Sequence, residues 1–299
     1  MSKRLSFLAK CRYLWHAAVA YFFYAIFCIL PPAAASALGG FIGRVIGWRH
    51  EGSRRALRNL QLVLPERAAE HKTIIRGMWD NFGRILGEYP HLQKIWNDGH
   101  IEVVGAENLP VDPKGVVFLT AHLANWEIAP TIALQNGWDM AVIYRPLNNI
   151  YLDSLLRRVR NGGEQKLFTK SAEGAMELMR HVRRGGAAGL LVDQRLTDGV
   201  NVPFFGQPAL TSQFPAILAL RYGARLLPAR VERINGIQQR LTLYPMLKNP
   251  DQGSENEKIV EITSAINNMF EQWIRARPDQ WLWSHRRWRL KKKKKNAIL

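Results

Sequence analysis

Cysteine is almost missing from this chain: Cys11 and Cys28 are its only two, both in an apolar N-terminal stretch. That excludes a disulfide framework and a cysteine-built zinc site, and it suits a reducing compartment. No G-x-S-x-G turn occurs, and no cysteine follows position 28. The usual nucleophiles of an acyl-enzyme are therefore not on offer. Acid is scarce as well, with 24 Asp and Glu against 42 Lys and Arg, a net charge of +18. The deficit is local. Residues 1–60 carry nine Lys/Arg and one acid, and residues 281–299 carry eight Lys/Arg and no acid, so the long middle is close to neutral. A nucleic-acid-binding protein would also be basic. Here the charge sits at two ends rich in aromatic and apolar residues, which favours an anionic membrane surface. Charge is absent altogether from residues 17–43, AAVAYFFYAIFCILPPAAASALGGFIG. That run is long enough to span a bilayer, but Pro31-Pro32 breaks it near the middle. Tyr13, Trp15 and Trp48 flank it as interface anchors. It lacks the short apolar core and clear mature start of a signal peptide. Both flanks are basic, so a spanning helix and a re-entrant anchor stay equally open.

What is present suffices for one large domain with a small appendage: 299 residues, 47% of them hydrophobic. After the apolar stretch, residues 53–87 have the period of two amphipathic helices. Strands are then expected at 101–105, 115–122, 139–146, 166–169, 187–194, 225–231 and 238–244. Helices are expected at 126–136, 152–160, 171–184, 213–222 and 255–277, with Ser171 as an N-cap and Gly162-Gly163 as a C-cap. Strands alternating with helices of this length indicate an α/β domain around a largely parallel or mixed sheet. Three of the strands end in polar chemistry, VVFLTAH at His122, MAVIYRP at Arg145 and GLLVDQ at Asp193. In open α/β sheets ligands bind at the carboxyl ends of strands. In AHLANWE, Glu127 follows His122 by five residues, which on one helix would leave the side chains roughly 140° apart. The two can meet only if His122 closes the strand and Glu127 opens the next helix.

In order along the chain, AHLANWE (121–127), VIYRPLNN (142–149), RRVRNGG (157–163), GLLVDQR (189–195), VPFFGQPALT (202–211) and PDQWLWSHRRWR (278–289) follow RRALRNL (54–60). With these blocks the chain resembles, over nearly its whole length, the late acyltransferases of lipid A biosynthesis, the lauroyl and myristoyl transferases of Gram-negative bacteria. The resemblance implies a single glycerolipid-acyltransferase-like domain, with a central mixed sheet flanked by helices, plus an N-terminal membrane-anchor helix. The expected division is an anchor at 1–50, a catalytic domain at 51–290 and a basic tail at 291–299. It also implies transfer of a fatty acyl chain from acyl carrier protein to a hydroxyl of a lipid A precursor, at the cytoplasmic face of the inner membrane. The wider superfamily uses the histidine and acid as its catalytic pair.

Ester formation from a thioester needs an activated alcohol and a stabilised oxyanion, and no metal or redox cofactor. His122 is the expected general base, and Glu127 is expected to hold its ring and stabilise the imidazolium. Arg160 matches by position an arginine that the superfamily places near the reacting carbonyl, and Arg145 is the second candidate. Either could instead bind a phosphate of the acceptor. Asp193 is expected to orient one of these arginines or a loop, and Gln194 beside it to meet substrate. Phe204 and Phe205 are candidates to line an acyl channel, with ordinary core packing as the alternative. Arg286 and Arg287, with Trp283 and Trp288, form an expected surface strip toward anionic headgroups or the acidic carrier protein, and Lys291–Lys295 a solvated tail. No nucleic-acid partner is expected. A second reading is another glycolipid or aminolipid O-acyltransferase of the same superfamily, with acyl-CoA as an alternative donor. A third is a non-enzymatic membrane- or nucleic-acid-binding protein, which the His122/Glu127 pair and the neutral middle speak against.

Overall fold

Val116–Thr120 is buried at all five positions, as a strand covered on both faces must be. It lies near the centre of a sheet in a computed structural model of the protein, which describes residues 7–161 and 165–288. The Gly162-Gly163 cap and the tail at 291–299 fall outside those residues. The strands are β1 (Ile101–Val104), β2 (Val116–Thr120), β3 (Met140–Tyr144), β4 (Lys166–Thr169), β5 (Ala187–Leu191), β6 (Val200–Phe204), β7 (Gln207–Thr211), β8 (Arg225–Asn235) and β9 (Gln238–Leu243). Seven form one sheet in the order β1-β9-β8-β2-β5-β3-β4, parallel at every pairing except β8 with β9. The largely parallel sheet expected from the alternation of strands and helices is therefore present.

The helices are α1 (Phe7–Ile29), α2 (Pro32–Ile46), α3 (Glu51–Val63), α4 (His71–Glu88), α5 (Leu92–Asn97), α6 (Thr131–Gln135), α7 (Ile150–Asn161), α8 (Ala172–Arg183), α9 (Phe214–Tyr222) and α10 (Glu255–Ala276). They cover both faces of the sheet. Val117 and Leu119 face one core with Leu60, Met78, Leu178, Leu218 and Phe270, while Val116 and Phe118 face another with Ile128, Ile132, Trp138 and Leu241. This is the period-2 alternation of a pleated strand. Ser171 caps α8 as expected, its side chain accepting from the Gly174 amide at 3.1 Å.

Two expected elements are differently built. The helix expected at 126–136 is a 3₁₀ turn at Trp126–Ile128 followed by the short α6. Pro130 sits between them, and its missing N–H and fixed φ interrupt a continuous helix. Residues 202–211, where Phe204 and Phe205 were expected to line an acyl channel, form the β6–β7 hairpin, with Phe204 opposite Gln207. Phe205 (φ 53°) and Gly206 (φ 68°) form its two-residue turn, left-handed at both positions as the twist of a tight hairpin demands.

The apolar N-terminus divides at Pro31-Pro32 into unlike halves. α1 is the one helix among the described residues long and apolar enough to cross a membrane, over Lys10–Ile29. α2 is built into the body of the domain. A Cβ placed on Gly39 would lie 2.2 Å from the Gly83 carbonyl oxygen, one on Gly83 2.0 Å from that of Gly39, and one on Gly43 2.0 Å from that of Trp79. The α2 and α4 backbones are thus in direct contact along glycines spaced by four. α2, although it lies before residue 50, therefore packs directly on α4.

Candidate active site

The parallel register brings His122 and Asp193 together. Thr120 lies opposite Leu191 across β2 and β5, so the residues two positions beyond leave the sheet side by side. Asp193 Oδ1 lies 2.8 Å from His122 Nδ1, and Asp193 Oδ2 accepts both the His122 backbone N–H at 3.0 Å and the Trp281 indole N–H at 2.7 Å. Burial pushes the Asp193 carboxyl up, but His122 and these donors outweigh it and hold the group well below its ordinary range. The ionised carboxylate fixes the proton of the ring on Nδ1 and turns the Nε2 lone pair outward, as the acid of a serine-hydrolase triad does.

Glu127 does not occupy the place expected for it. Among the described residues no hydrogen bond joins it to His122. The chain turns away after the histidine, through Ala124 at φ 48°, and is pinned by bonds from Leu282 N to His122 O and from Ala124 N to Gln280 O at 3.1 Å each. The Trp126 ring then stands between histidine and acid, 5.0 Å from the His122 ring centroid. Beyond it, Glu127 binds Arg160 of α7 through both carboxylate oxygens, Oε2 to Nε at 3.0 Å and Oε1 to Nη2. Oε1 also accepts from the Tyr89 hydroxyl at 3.0 Å and from the Trp126 indole at 2.9 Å. Burial raises the Glu127 carboxyl, but Arg160 and the two aromatic donors prevail and hold it below its usual value. A second charged unit, Glu127–Arg160, thus lies beside the first.

An apolar pocket lies against this second unit. Phe118, Pro130, Val142, Gly189 and Leu191 line it together with Glu127 and Arg160. The loop that separates the two units is held from below. Asn125 accepts the Glu127 amide at 3.2 Å and donates to Glu88 at 2.8 Å, and Glu88, fully buried, pairs with Arg233 of β8. Arg233 in turn bonds Asn81, whose amide holds the Ala124 carbonyl at 3.1 Å.

With this geometry established, comparison with known proteins places the chain. A model of the bacterial lipid A biosynthesis acyltransferases matches residues 2–290. The chain belongs to that family. Two phosphatidylinositol mannoside acyltransferases, from two strains of Mycobacterium tuberculosis, are each 26% identical to it over 251 residues, covering 78% of this chain and 76% of theirs. The protein is therefore an acyltransferase of the lipid A acyltransferase family.

The other residues singled out in this acyltransferase scatter. Arg145 is exposed at the end of β3, and Lys170, at the end of β4, neighbours it because Tyr144 pairs with Thr169. Burial and Arg145 both lower the Lys170 ammonium. Gln194 lies against His122, and so does His285, which the sequence did not single out. Phe204 and Phe205 line no part of the pocket. Their rings pack on Trp281, Trp283 and Trp288, because the alternation along the hairpin turns this pair into the core. The expected strip at 283–288 is mostly interior. Trp283, Arg287 and Trp288 are buried and only Arg286 is exposed. Arg287 lies 4.6 Å over the Phe204 ring and donates to Leu210 O, Thr211 Oγ1 and Asn267 Oδ1, so it ties the hairpin to α10 and does not face a partner. Burial lowers it to about 10.

Asp193 as partner of His122 was the main omission, since the sequence pointed to an arginine or a loop. A signal existed, because each residue stands two positions beyond the end of its strand. Using it required knowing that β2 and β5, nearly seventy residues apart, are neighbours.

Proposed function

We propose that this acyltransferase moves a fatty acyl chain from the thioester of acyl carrier protein to a hydroxyl of a lipid A precursor, at the cytoplasmic face of the inner membrane. The observation that carries the reading is the His122–Asp193 pair at the strand ends, beside a buried Glu127–Arg160 pair that borders an apolar pocket. His122 Nε2 takes the proton of the acceptor hydroxyl as its oxygen attacks the thioester carbonyl, and Asp193 stabilises the imidazolium. The tetrahedral intermediate collapses, the C–S bond breaks, and His122 returns the proton to the departing thiolate. The scheme calls on no metal or redox group, and the thioester is a co-substrate. Arg160 has two nitrogens committed to Glu127, and we assign the third, Nη1, to the developing oxyanion. The pocket takes the acyl chain. Arg145 and Lys170 suit a phosphate of the acceptor, and Arg286 an anionic headgroup or the carrier protein.

The relatives named as phosphatidylinositol mannoside acyltransferases support a second reading, in which the acceptor is another glycolipid; the donor in that reading is acyl carrier protein or acyl-CoA. Purified protein, given radiolabelled acyl carrier protein or acyl-CoA with each acceptor, separates the two. Transfer to the lipid A precursor from the carrier protein is expected. Transfer only to a different glycolipid overturns the first reading.

A further inference from the structure

Three arginines crowd the start of α3, in the run Arg54-Arg55-Ala56-Leu57-Arg58. Ser53, Ala56, Asn59 and Leu60 are buried against the domain, while Arg54, Leu57 and Arg58 form an exposed stripe. Helix stability does not account for that stripe. Arg54 lies in the first turn, at the positive end of the helix dipole, and Arg58 follows it by four residues, where like charges repel. Glu51, the one acid on α3, pairs with Arg55 at 3.2 Å, and among the described residues no carboxylate pairs with Arg54 or Arg58. The inner side of the same helix holds a wall of the site. Arg55 donates to the Ser284 carbonyl at 2.8 Å, and Asn59 to the Trp283 and His285 carbonyls at 2.8 Å each. The His285 ring stands 5.5 Å from that of His122, and the exposed Arg286 follows it in the chain. One short segment therefore joins the cationic stripe to the reacting histidine.

We propose that Arg54, Leu57 and Arg58 of α3, with Arg286, form the docking surface for the acidic carrier protein that delivers the acyl thioester. The inference rests on the carrier-protein reading above. A carrier protein must sit where its flexible arm brings the thioester to His122, and a surface fastened to the His285 segment meets that need. An apolar side chain set between two cations suits a partner helix with acidic residues on either side of an apolar one. Anionic lipid would take the same charge. Insertion also needs large apolar side chains, and those lie at Trp15, Phe22 and Ile29 of α1, whereas the α3 stripe has Leu57 alone.

The test gives the full-length protein, with lipid acceptor in detergent, two donors that carry the same acyl chain: acyl carrier protein and acyl-pantetheine. Both present the same thioester, and only the first has a protein surface. Arg54→Glu with Arg58→Glu should raise the Michaelis constant for acyl carrier protein by about tenfold, the size expected when two surface ion pairs are reversed. The constant for acyl-pantetheine should change far less. Added salt should raise the wild-type constant for the carrier protein and narrow its gap to the variant. Arg183→Glu, the same change of charge at the end of α8 and so at the opposite edge of the sheet, should match wild type with both donors. If the double reversal does not fold, Arg54→Gln with Arg58→Gln should shift the same constant in the same direction. Equal losses with both donors, or none with either, overturn the docking surface. So does a variant that keeps its preference for the carrier protein but loses vesicle binding, which would assign the stripe to lipid. A wild type that takes acyl-pantetheine as readily as acyl carrier protein overturns the carrier-protein reading itself.

Discussion

At the scale of single residues, the site divides its charged groups between two tasks. Asp193 serves His122 directly, whereas Glu127 serves Arg160, so substitutions at the two acids should fail differently. Asp193→Asn can turn its amide toward Nδ1 and force the proton onto Nε2, the tautomer that cannot act as a base. Turnover should fall by about 10²–10⁴-fold. Steady-state kinetics on folded protein checks this, and a rate near wild type would remove Asp193 from the mechanism. His285 supplies a pH test. Its ring sits at about 4 in the folded protein, below the ordinary 6.5. The unfolded chain therefore binds a proton between those values that the folded protein refuses. Stability falls as pH drops through this window, and above 6.5 the group contributes nothing. From pH 7 to pH 5 the wild type should lose about 1–2 kcal/mol more than His285→Gln. Urea unfolding in detergent at the two pH values measures the difference, and equal losses would show the ring to be more hydrated than this geometry allows.

At the scale of elements, what was legible depended on whether the signal was local. β2, β3 and β5 announced themselves as apolar runs, and Ser171 as a cap, because strand pattern and capping involve residues close in sequence. The endings at His122, Arg145 and Asp193 lie at one edge of the sheet, because β2, β3 and β5 run parallel. Which endings touch was not legible, because pairing is a contact between distant segments, so His122 was given the nearest acid, Glu127. The hairpin escaped because Phe205-Gly206 is a poor match to the Asn-Gly turns that signal one. Its left-handed phenylalanine is held from outside by Glu271, which accepts the Phe205 amide at 2.7 Å, and by Arg275 over its ring at 4.8 Å. The packing of α2 was not legible for another reason. An apolar helix looks the same whether lipid or protein covers it, and only the positions of Gly39, Gly43 and Gly83 reveal close contact with α4. Gly83→Leu must force these backbones apart, since even a Cβ there meets the Gly39 carbonyl at 2.0 Å. The expected loss is about 1–3 kcal/mol, the usual cost of overpacking. Thermal unfolding in detergent reads it, and a melting temperature equal to wild type would mean that the seam opens freely.

At the scale of the whole molecule, the question is how the protein meets its lipid. Trp15, Phe22 and Ile29 on α1 are 68%, 63% and 84% exposed. Phe41 and Ile46 continue an exposed apolar surface along α2, and Leu147 and Ile150 add to it at the start of α7. α1 is tied to that start, with Asn149 donating to the Tyr13 carbonyl at 2.8 Å, and to the 3₁₀ turn after α4, where the His91 ring meets the Phe27 carbonyl at 2.7 Å. Exposed apolar surface of this kind is suited to a cover, and we propose the membrane as that cover. α7 also carries Arg160, so the apolar surface and the site share an element. Two truncations separate the contributions. Removing residues 1–30 leaves the α2–α4 seam intact. That protein should fold, lose most of its binding to anionic vesicles, and retain a remainder through the α2 face and the basic ends. Because the remainder is partly electrostatic, raising salt from 0.05 to 0.5 M should weaken it several-fold, whereas the full chain should stay bound. Removing residues 1–48 strips α2 from Trp79 and Gly83 and should leave little folded protein. Vesicle co-sedimentation at both salt concentrations, with circular dichroism on each protein, tests the scheme. A 1–30 truncation that stays bound in high salt would move the main anchor to α2, and a folded, active 1–48 truncation would deny α2 its place in the core.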